Sequence, residues 1–255
     1  MGLRYSAPYT VPYYDCDVNG NMTFPSLLSV VIKWSGDQSA LLNRDNAFVA
    51  QFGLTWVITN YEIDITKMPR VEQTVMITTE AMSYNKFFCY RNFWIHDEVG
   101  NQLMEIRATF VLMDRVNRKM GHVIEEIIAP YQSEKIKKIL RAPLIEAINE
   151  EEKVSYRVRF SDIDSNQHVN NAKYYDWILD VLGFDFLTTY VATYVNMRFI
   201  KEVEYGAVVE SVFERSQKDG EILTKHRIDV DGVPHAEANI LWRPMVKESR
   251  EKREI

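Results

Sequence analysis

Cysteine is nearly absent from this chain. Its 255 residues include two, Cys16 and Cys89, and neither sits in a metal-binding or redox spacing. That excludes a disulfide framework and leads us to expect a reducing, cytoplasmic setting. Long apolar runs are missing as well. No stretch approaches the length of a membrane span, and Met1–Ser6 has no apolar signal core. That segment fits the loose myristoylation pattern Met-Gly-x-x-x-Ser, but nothing else in the chain points to a membrane. A surplus of positive charge is also lacking: 30 basic against 36 acidic side chains give a net charge of −6. A nucleic-acid-binding footprint is thereby excluded.

Hydrophobic residues make up 46% of the chain, enough for an ordinary core without metal or disulfide support. The chain reads as one unit used twice. Tyr14-Asp15-Cys16-Asp17-Val18-Asn19-Gly20-Asn21 aligns with the segment starting near Phe160, placing Asp17 on Asp164, Asn19 on Asn166 and Asn21 on His168. An apolar-periodic helix follows each copy, through Leu27, Leu28, Val31, Ile32 and Trp34 in the first. In the second it runs through Tyr174, Trp177, Ile178, Val181 and Leu182.

Strand-like runs come next: 55–65, 74–79, 87–96 and 102–114, then 193–200, 207–214, 222–230 and 236–243. Gly100-Asn101 and Asp231-Gly232 mark the last hairpin of each half. The order of loop, helix and antiparallel strands is α+β. We place the units at 1–125 and 153–247. A linker over 126–152 contains a helical-looking Ser133–Leu140 and the acidic Glu150-Glu151-Glu152. Lys247–Ile255 is charged and aperiodic, and is expected to fray.

The chemistry concentrates in Asp162-Ile163-Asp164-Ser165-Asn166-Gln167-His168-Val169-Asn170-Asn171. In extended chain Asp164, Asn166 and His168 would face one side. Asn170-Asn171 precede the second helix as an N-cap, whose amides would favour developing negative charge. A lone histidine in a polar loop is usually a surface residue; here the neighbouring Asp and Asn weigh against that. Asp164 and His168 lack a third metal ligand nearby, so no metal or cofactor is expected.

Asp164-x-Asn166-x-His168-Val169-Asn170-Asn171-x-x-Tyr174-x-x-Trp177 resembles the active-site segment of plant and bacterial acyl-ACP thioesterases. The resemblance implies tandem hot-dog domains. In that fold an antiparallel sheet wraps a central helix, here duplicated as an internal pseudo-dimer. It implies hydrolysis of fatty acyl-ACP, with acyl carrier protein as partner. In the family a glutamate follows the histidine by 34 residues; here that position is Glu202, in Phe199-Ile200-Lys201-Glu202-Val203-Glu204. Val203 stands where a cysteine often follows, so no thiol nucleophile is available there and water is the expected attacker. Glu202 would be the general base, its proton affinity raised if its site is apolar. Asn166 would polarise the carbonyl, and His168 would orient the water or protonate the leaving thiolate. Asp164 would orient its neighbours.

Asn21 and Met68 stand at the matching places of the first unit, which therefore reads as chemically silent and free to form the acyl pocket. Trp34, Trp56, Met76, Phe88 and Trp94 are candidates to line it, though core packing is the ordinary role of such residues. An acidic chain needs a local basic patch to dock an acidic carrier. Arg115, Arg118 and Lys119, or Lys135, Lys137, Lys138 and Arg141, could supply one. A homodimer is left open. Two rival readings are an acyl-CoA thioesterase of the wider hot-dog group and a non-catalytic acyl-binding module.

Overall fold

The first unit winds five strands around one long helix. The strands are β1 (Arg4–Thr10), β2 (Leu54–Ile65), β3 (Thr74–Tyr84), β4 (Phe88–His96) and β5 (Gln102–Asp114). The helix is α1 (Phe24–Leu41), followed by the short α2 (Asn46–Ala50) and, after the strands, α3 (Glu125–Ile128). The linker holds β6 (Glu134–Lys135). The second unit repeats the plan with β7 (Glu152–Arg157), α4 (Tyr174–Asp180), α5 (Phe184–Thr189), β8 (Tyr190–Phe199), β9 (Val208–Lys218), β10 (Glu221–Val230) and β11 (Val233–Pro244). The computed structural model describes residues 2–149, 152–218 and 220–245. The Glu150-Glu151 part of the acidic run and the Lys247–Ile255 tail lie outside the described residues.

One sheet runs through both units in the order β1-β3-β4-β5-β2-β8-β11-β10-β9-β7. The central pairing joins β2 to β8 antiparallel, with Glu62 opposite Asn196. On either side of that pair the order is mirrored, so the chain is a pseudo-dimer built on a pseudo-twofold axis. The backbone bonds Met22 N–H to Pro69 O and Val169 N–H to Val203 O match residue 69 with 203, an offset of 134 that also carries β2 onto β8.

Helix α1 forms because its sequence satisfies both its start and one face. The Thr23 hydroxyl caps it by accepting from the Ser26 N–H at 3.4 Å, with Pro25 in the first turn. Leu27, Leu28, Val31, Trp34 and Gln38 are buried at helical spacing against the concave face of the sheet. The second helix is much shorter. It ends at Asp180, and the chain then turns through Gly183 at φ +80°, a conformation open to glycine. The expected helix through Leu182 is thus interrupted. The two units share one core, in which Phe24 stacks on Tyr175 with ring centroids 5.6 Å apart.

The linker departs from the sequence reading. Ser133–Leu140 is not a helix. Glu134–Lys135 pair in parallel with β3, and beyond them the Asn85 amide donates to Lys138 O and the Tyr90 hydroxyl accepts from Leu140 N. Side chains of the sheet take up backbone groups that a helix would have paired internally. Strands β1 and β7, absent from the sequence reading, are short edge strands. β1 does alternate, with Tyr5, Ala7 and Tyr9 half-buried, but it carries a proline at its centre, which a paired inner strand would not tolerate, and most residues of β7 are exposed.

Buried in the second unit, the His226 Nε2 meets Thr224 Oγ1 at 2.8 Å while its Nδ1 has no partner. Desolvation pushes this imidazole down to about 3. Below pH 6.5 the unfolded chain takes up a proton that the folded chain refuses until about pH 3. Stability therefore falls as pH drops across that window, by up to about 1.4 kcal/mol per unit. Thermal melts between pH 4 and 7 test this: His226→Leu should show a flatter profile than wild type.

Candidate active site

The segment around His168 is a tight turn rather than extended chain. The Asp164 N–H donates to His168 O at 2.9 Å, and the Gln167 N–H donates to Asp164 O at 3.0 Å. The Asp164 carboxylate accepts from its own Asn166 N–H at 2.7 Å, closing an Asx turn. Aspartate competes for local backbone in this way, which is why the extended geometry is lost. Gln167 takes φ +68° at the apex. The first unit builds the same turn: Asp17 N–H to Asn21 O at 2.8 Å, Asn19 N–H to Asp17 Oδ1 at 2.8 Å, and Gly20 at φ +74°. The duplication seen in the sequence is thus a duplication of hydrogen bonds.

Backbone pairing brings the distant glutamate in. The Val169 N–H donates to Val203 O at 2.9 Å, which sets Glu202 beside His168 with Nε2 and Oε2 3.4 Å apart. In the first unit Met22 N–H donates to Pro69 O at 2.8 Å in the same way. That contact puts Met68, buried and apolar, in the place of Glu202.

Glu202 does not occupy the apolar niche expected of it. Arg118, from the turn after β5 in the first unit, grips both carboxylate oxygens: Nε lies 3.0 Å from Oε2, and Nη2 contacts Oε1. Both side chains are about one-third exposed, at 29% and 33%. The Arg118 turn is itself held by Asp114, whose carboxylate accepts from Asn117 and Val116 N–H at 2.7 and 2.9 Å. Those amides hold the Asp114 carboxyl below the usual carboxylate range. His168 Nδ1 is buried without a protein partner, so Glu202, on its Nε2 side, is the carboxylate that acts on the ring.

Asp164, Asn166, His168, Glu202 and Arg118 line one end of a cavity of about 560 Å³. Leu28 and Ile32 of α1, Trp56 and Ile58 of β2, and Phe110 of β5 supply apolar wall. Both the volume and the mixture of apolar wall with a few convergent polar groups are those of a small-molecule site. The expected row of free helix amides is shorter than anticipated. Ala172 N–H donates to Asn170 Oδ1 at 2.9 Å and Lys173 N–H to Asn170 O at 2.8 Å. The exposed Asn166 side chain lines the cavity, with Thr55 Oγ1 3.5 Å from its Oδ1. Of the aromatic candidates only Trp56 faces the cavity. Trp34 packs in the core and donates to Ala7 O, Trp94 carries Arg4 on its face, and Met76 is 41% exposed.

Family models of the acyl-ACP thioesterase N-terminal domain and C-terminal domain match residues 2–131 and 145–244. The chain belongs to the acyl-ACP thioesterase family. A protein from Lactobacillus plantarum, provisionally described as an oleoyl thioesterase, superposes with a TM-score of 0.92 at 38% identity, over 96% of this chain and 98% of that one. The 12:0-ACP thioesterase of Umbellularia californica superposes at 0.83 and 16% identity, over 96% and 99%, a likeness of fold. A chloroplastic acyl-[acyl-carrier-protein] hydrolase of Cuphea viscosissima is 24% identical over 267 residues, covering 95% of this chain. The chain spans 63% of that protein's length. Two hot-dog units in one chain are therefore both the observed architecture and that of the family.

In this member of the family, Arg118 is the residue of the candidate site that the sequence concealed. It stands out there only as one of a run of basic residues. Its meeting with Glu202, 84 residues away, depends on how the two units pack.

Proposed function

We propose that this chain hydrolyses the thioester of fatty acyl-ACP and releases free fatty acid, using a single site in its second unit. The observation that carries the reading is the convergence of Asp164, Asn166, His168 and Glu202 on one cavity whose lining also includes Leu28, Ile32, Trp56, Ile58 and Phe110. The acyl chain lies along the wall formed by the first unit, and the thioester reaches the polar end. Asn166 donates to the carbonyl oxygen and steadies the oxyanion. A water oxygen attacks the carbonyl carbon while His168 Nε2, the ring nitrogen that faces Glu202, takes a proton from that water. The C–S bond then breaks, the carbonyl reforms as the acid, and the proton passes from His168 to the departing thiolate.

Glu202 steadies the imidazolium formed in this step as a negative charge 3.4 Å from the Nε2 that has gained the proton. An apolar setting would have favoured it as the base itself. Gripped by a guanidinium, it serves better as the fixed anion. Asp164 shapes the turn that presents Asn166 and His168. The first unit (1–125) forms pocket wall and the second (153–247) carries the chemistry. Arg115, Lys119 and Lys201, exposed beside the polar end, are the proposed docking charges for an acidic carrier.

Arg118 is a positioning residue in this scheme. Arg118→Met should lower kcat about tenfold with little change in KM, and Arg118→Lys should recover part of the loss, since lysine keeps the charge without the fork. A change confined to KM would place Arg118 in docking instead.

A single-turnover reaction of acyl-ACP in H2 18O tests the hydrolysis. One labelled oxygen in the fatty acid and one free thiol per ester cleaved are expected. Bound but uncleaved acyl-ACP would favour an acyl-binding module.

A further inference from the structure

Beyond the site cavity, toward the C-terminal half of α1, lies a second cavity of about 240 Å³. The two share Ile32, Asn46, Trp56 and Phe110 as lining. From Leu28, beside the polar end, to Ser39 at the far cavity is ~16 Å along the helix at 1.5 Å per residue. A fatty acyl chain seated by its thioester would therefore run toward this second space.

The far cavity is not the plain apolar floor that a hydrocarbon tail calls for. Ser35, Ser39 and Ser83 line it, and so does Arg91. The Arg91 residue is 7% exposed. Its Nη1 donates to Gln38 Oε1 at 2.6 Å and to Thr79 Oγ1 at 3.0 Å, and the guanidinium lies 5.3 Å from the centre of the Tyr131 ring. Among the described residues no carboxylate pairs with it. Of its five N–H donors, two are bonded in this way, which leaves three without a protein acceptor among the described residues. Burial lowers this guanidinium to about 10. A buried cation without a counter-charge is costly, and each donor left unbonded adds to that cost.

The internal symmetry shows that the fold does not require this cation. Arg91 pairs with Ala108, and Ala108 with Tyr61. The corresponding ladder in the second unit is Thr224 with Ile240 and Ile240 with Val195. Thr224 thus stands where Arg91 stands, and there the Trp242 and His226 side chains meet its hydroxyl at 2.8 Å. The uncompensated cation belongs to the unit that keeps a cavity beside it.

We infer that the far cavity is a subsite for acyl chains carrying a hydroxyl or keto oxygen in their distal half, with Arg91 donating to that oxygen. The inference rests on the reading of the larger cavity as the acyl site. A site built to hydrogen-bond a substrate oxygen discriminates against the analogue that lacks it. A purely hydrocarbon tail would leave the Arg91 donors unpaired or bonded only to water.

The test is direct binding of free fatty acids of one chain length, saturated or hydroxylated at successive carbons of the distal half, measured by calorimetry on the full chain. At least one hydroxylated isomer should bind wild type about tenfold more tightly than the saturated acid. Arg91→Met should lose that preference. Equal or weaker binding of every hydroxylated isomer, no binding of any acid, or a preference that survives in Arg91→Met would overturn the inference. Acyl-ACP hydrolysis is assayed on the same preparation to separate the two readings. Turnover without the preference sinks only this inference, and the preference without turnover sinks only the hydrolase reading.

Discussion

His168→Ala should lower kcat/KM for acyl-ACP by about 10²–10⁴-fold, the usual contribution of a positioned general acid–base group. The loss should fall on kcat, because in the proposed mechanism the imidazole acts on the reacting water rather than on the acyl tail or the carrier. Stability should change little. The side chain is 22% exposed at the cavity wall, its Nδ1 has no protein partner, and its contact with Glu202 is 3.4 Å. The turn that carries it is held by backbone bonds of Asp164 and Gln167, which alanine retains. Steady-state kinetics beside a thermal melt therefore separate the chemical role from a structural one. A variant that melts like wild type and turns over like wild type would remove His168 from the mechanism.

Glu202→Gln should cost about 10²–10³-fold in kcat. Glutamine keeps the shape and one acceptor oxygen but loses the negative charge that steadies the imidazolium. It also leaves the Arg118 guanidinium without its anion, next to an imidazole that must become positive during the reaction. The double variant Glu202→Gln with Arg118→Met is informative here. Removing the orphaned cation should restore part of the activity lost in Glu202→Gln alone, a non-additivity expected of residues in contact. Strict additivity of the two losses would show that the ion pair and the reaction are unconnected.

These roles bear on why two units share a chain. The turn of the first unit keeps every backbone bond of the second but presents Asn21 and Met68 where the second presents His168 and Glu202. What the first unit adds lies elsewhere. It provides a long helix with an apolar face, the strand wall from Trp56 to Ile58, and Arg118 reaching across to the carboxylate. In the second unit the helix breaks at Gly183, and Phe186 of α5 packs edge-on against Trp242 with centroids 5.1 Å apart. An uninterrupted helix and a cavity alongside it go together in one unit, and an interrupted helix with aromatic filling in the other.

Much of this was legible in the residues themselves. The strand-like runs at 55–65, 102–114, 193–200 and 236–243 are present as β2, β5, β8 and β11. Asp-Gly at 231–232 announced its hairpin, and both residues adopt positive φ. The repeat at Asp17 and Asp164 survived as matched Asx turns, since short polar side chains encode that turn locally. Other features were not local. Of the edge strands, β7 carries no alternation, and Pro8 masks that of β1. Ser133–Leu140 looked helical but is fixed by Asn85 and Tyr90 reaching out from the sheet. Glu202 meets Arg118 across 84 residues and Arg91 meets Gln38 across 53, so no local window holds both sides of either contact.

The central claim, hydrolysis of a carrier-bound acyl chain, is tested most directly by initial rates on acyl-ACP and acyl-CoA of the same chain length with the same preparation. Faster release of fatty acid from ACP, by tenfold or more in kcat/KM, is the predicted result, with the carrier surface supplying the difference (about 1.4 kcal/mol). Equal or faster release from CoA would contradict it and move the chain to the wider thioesterase group.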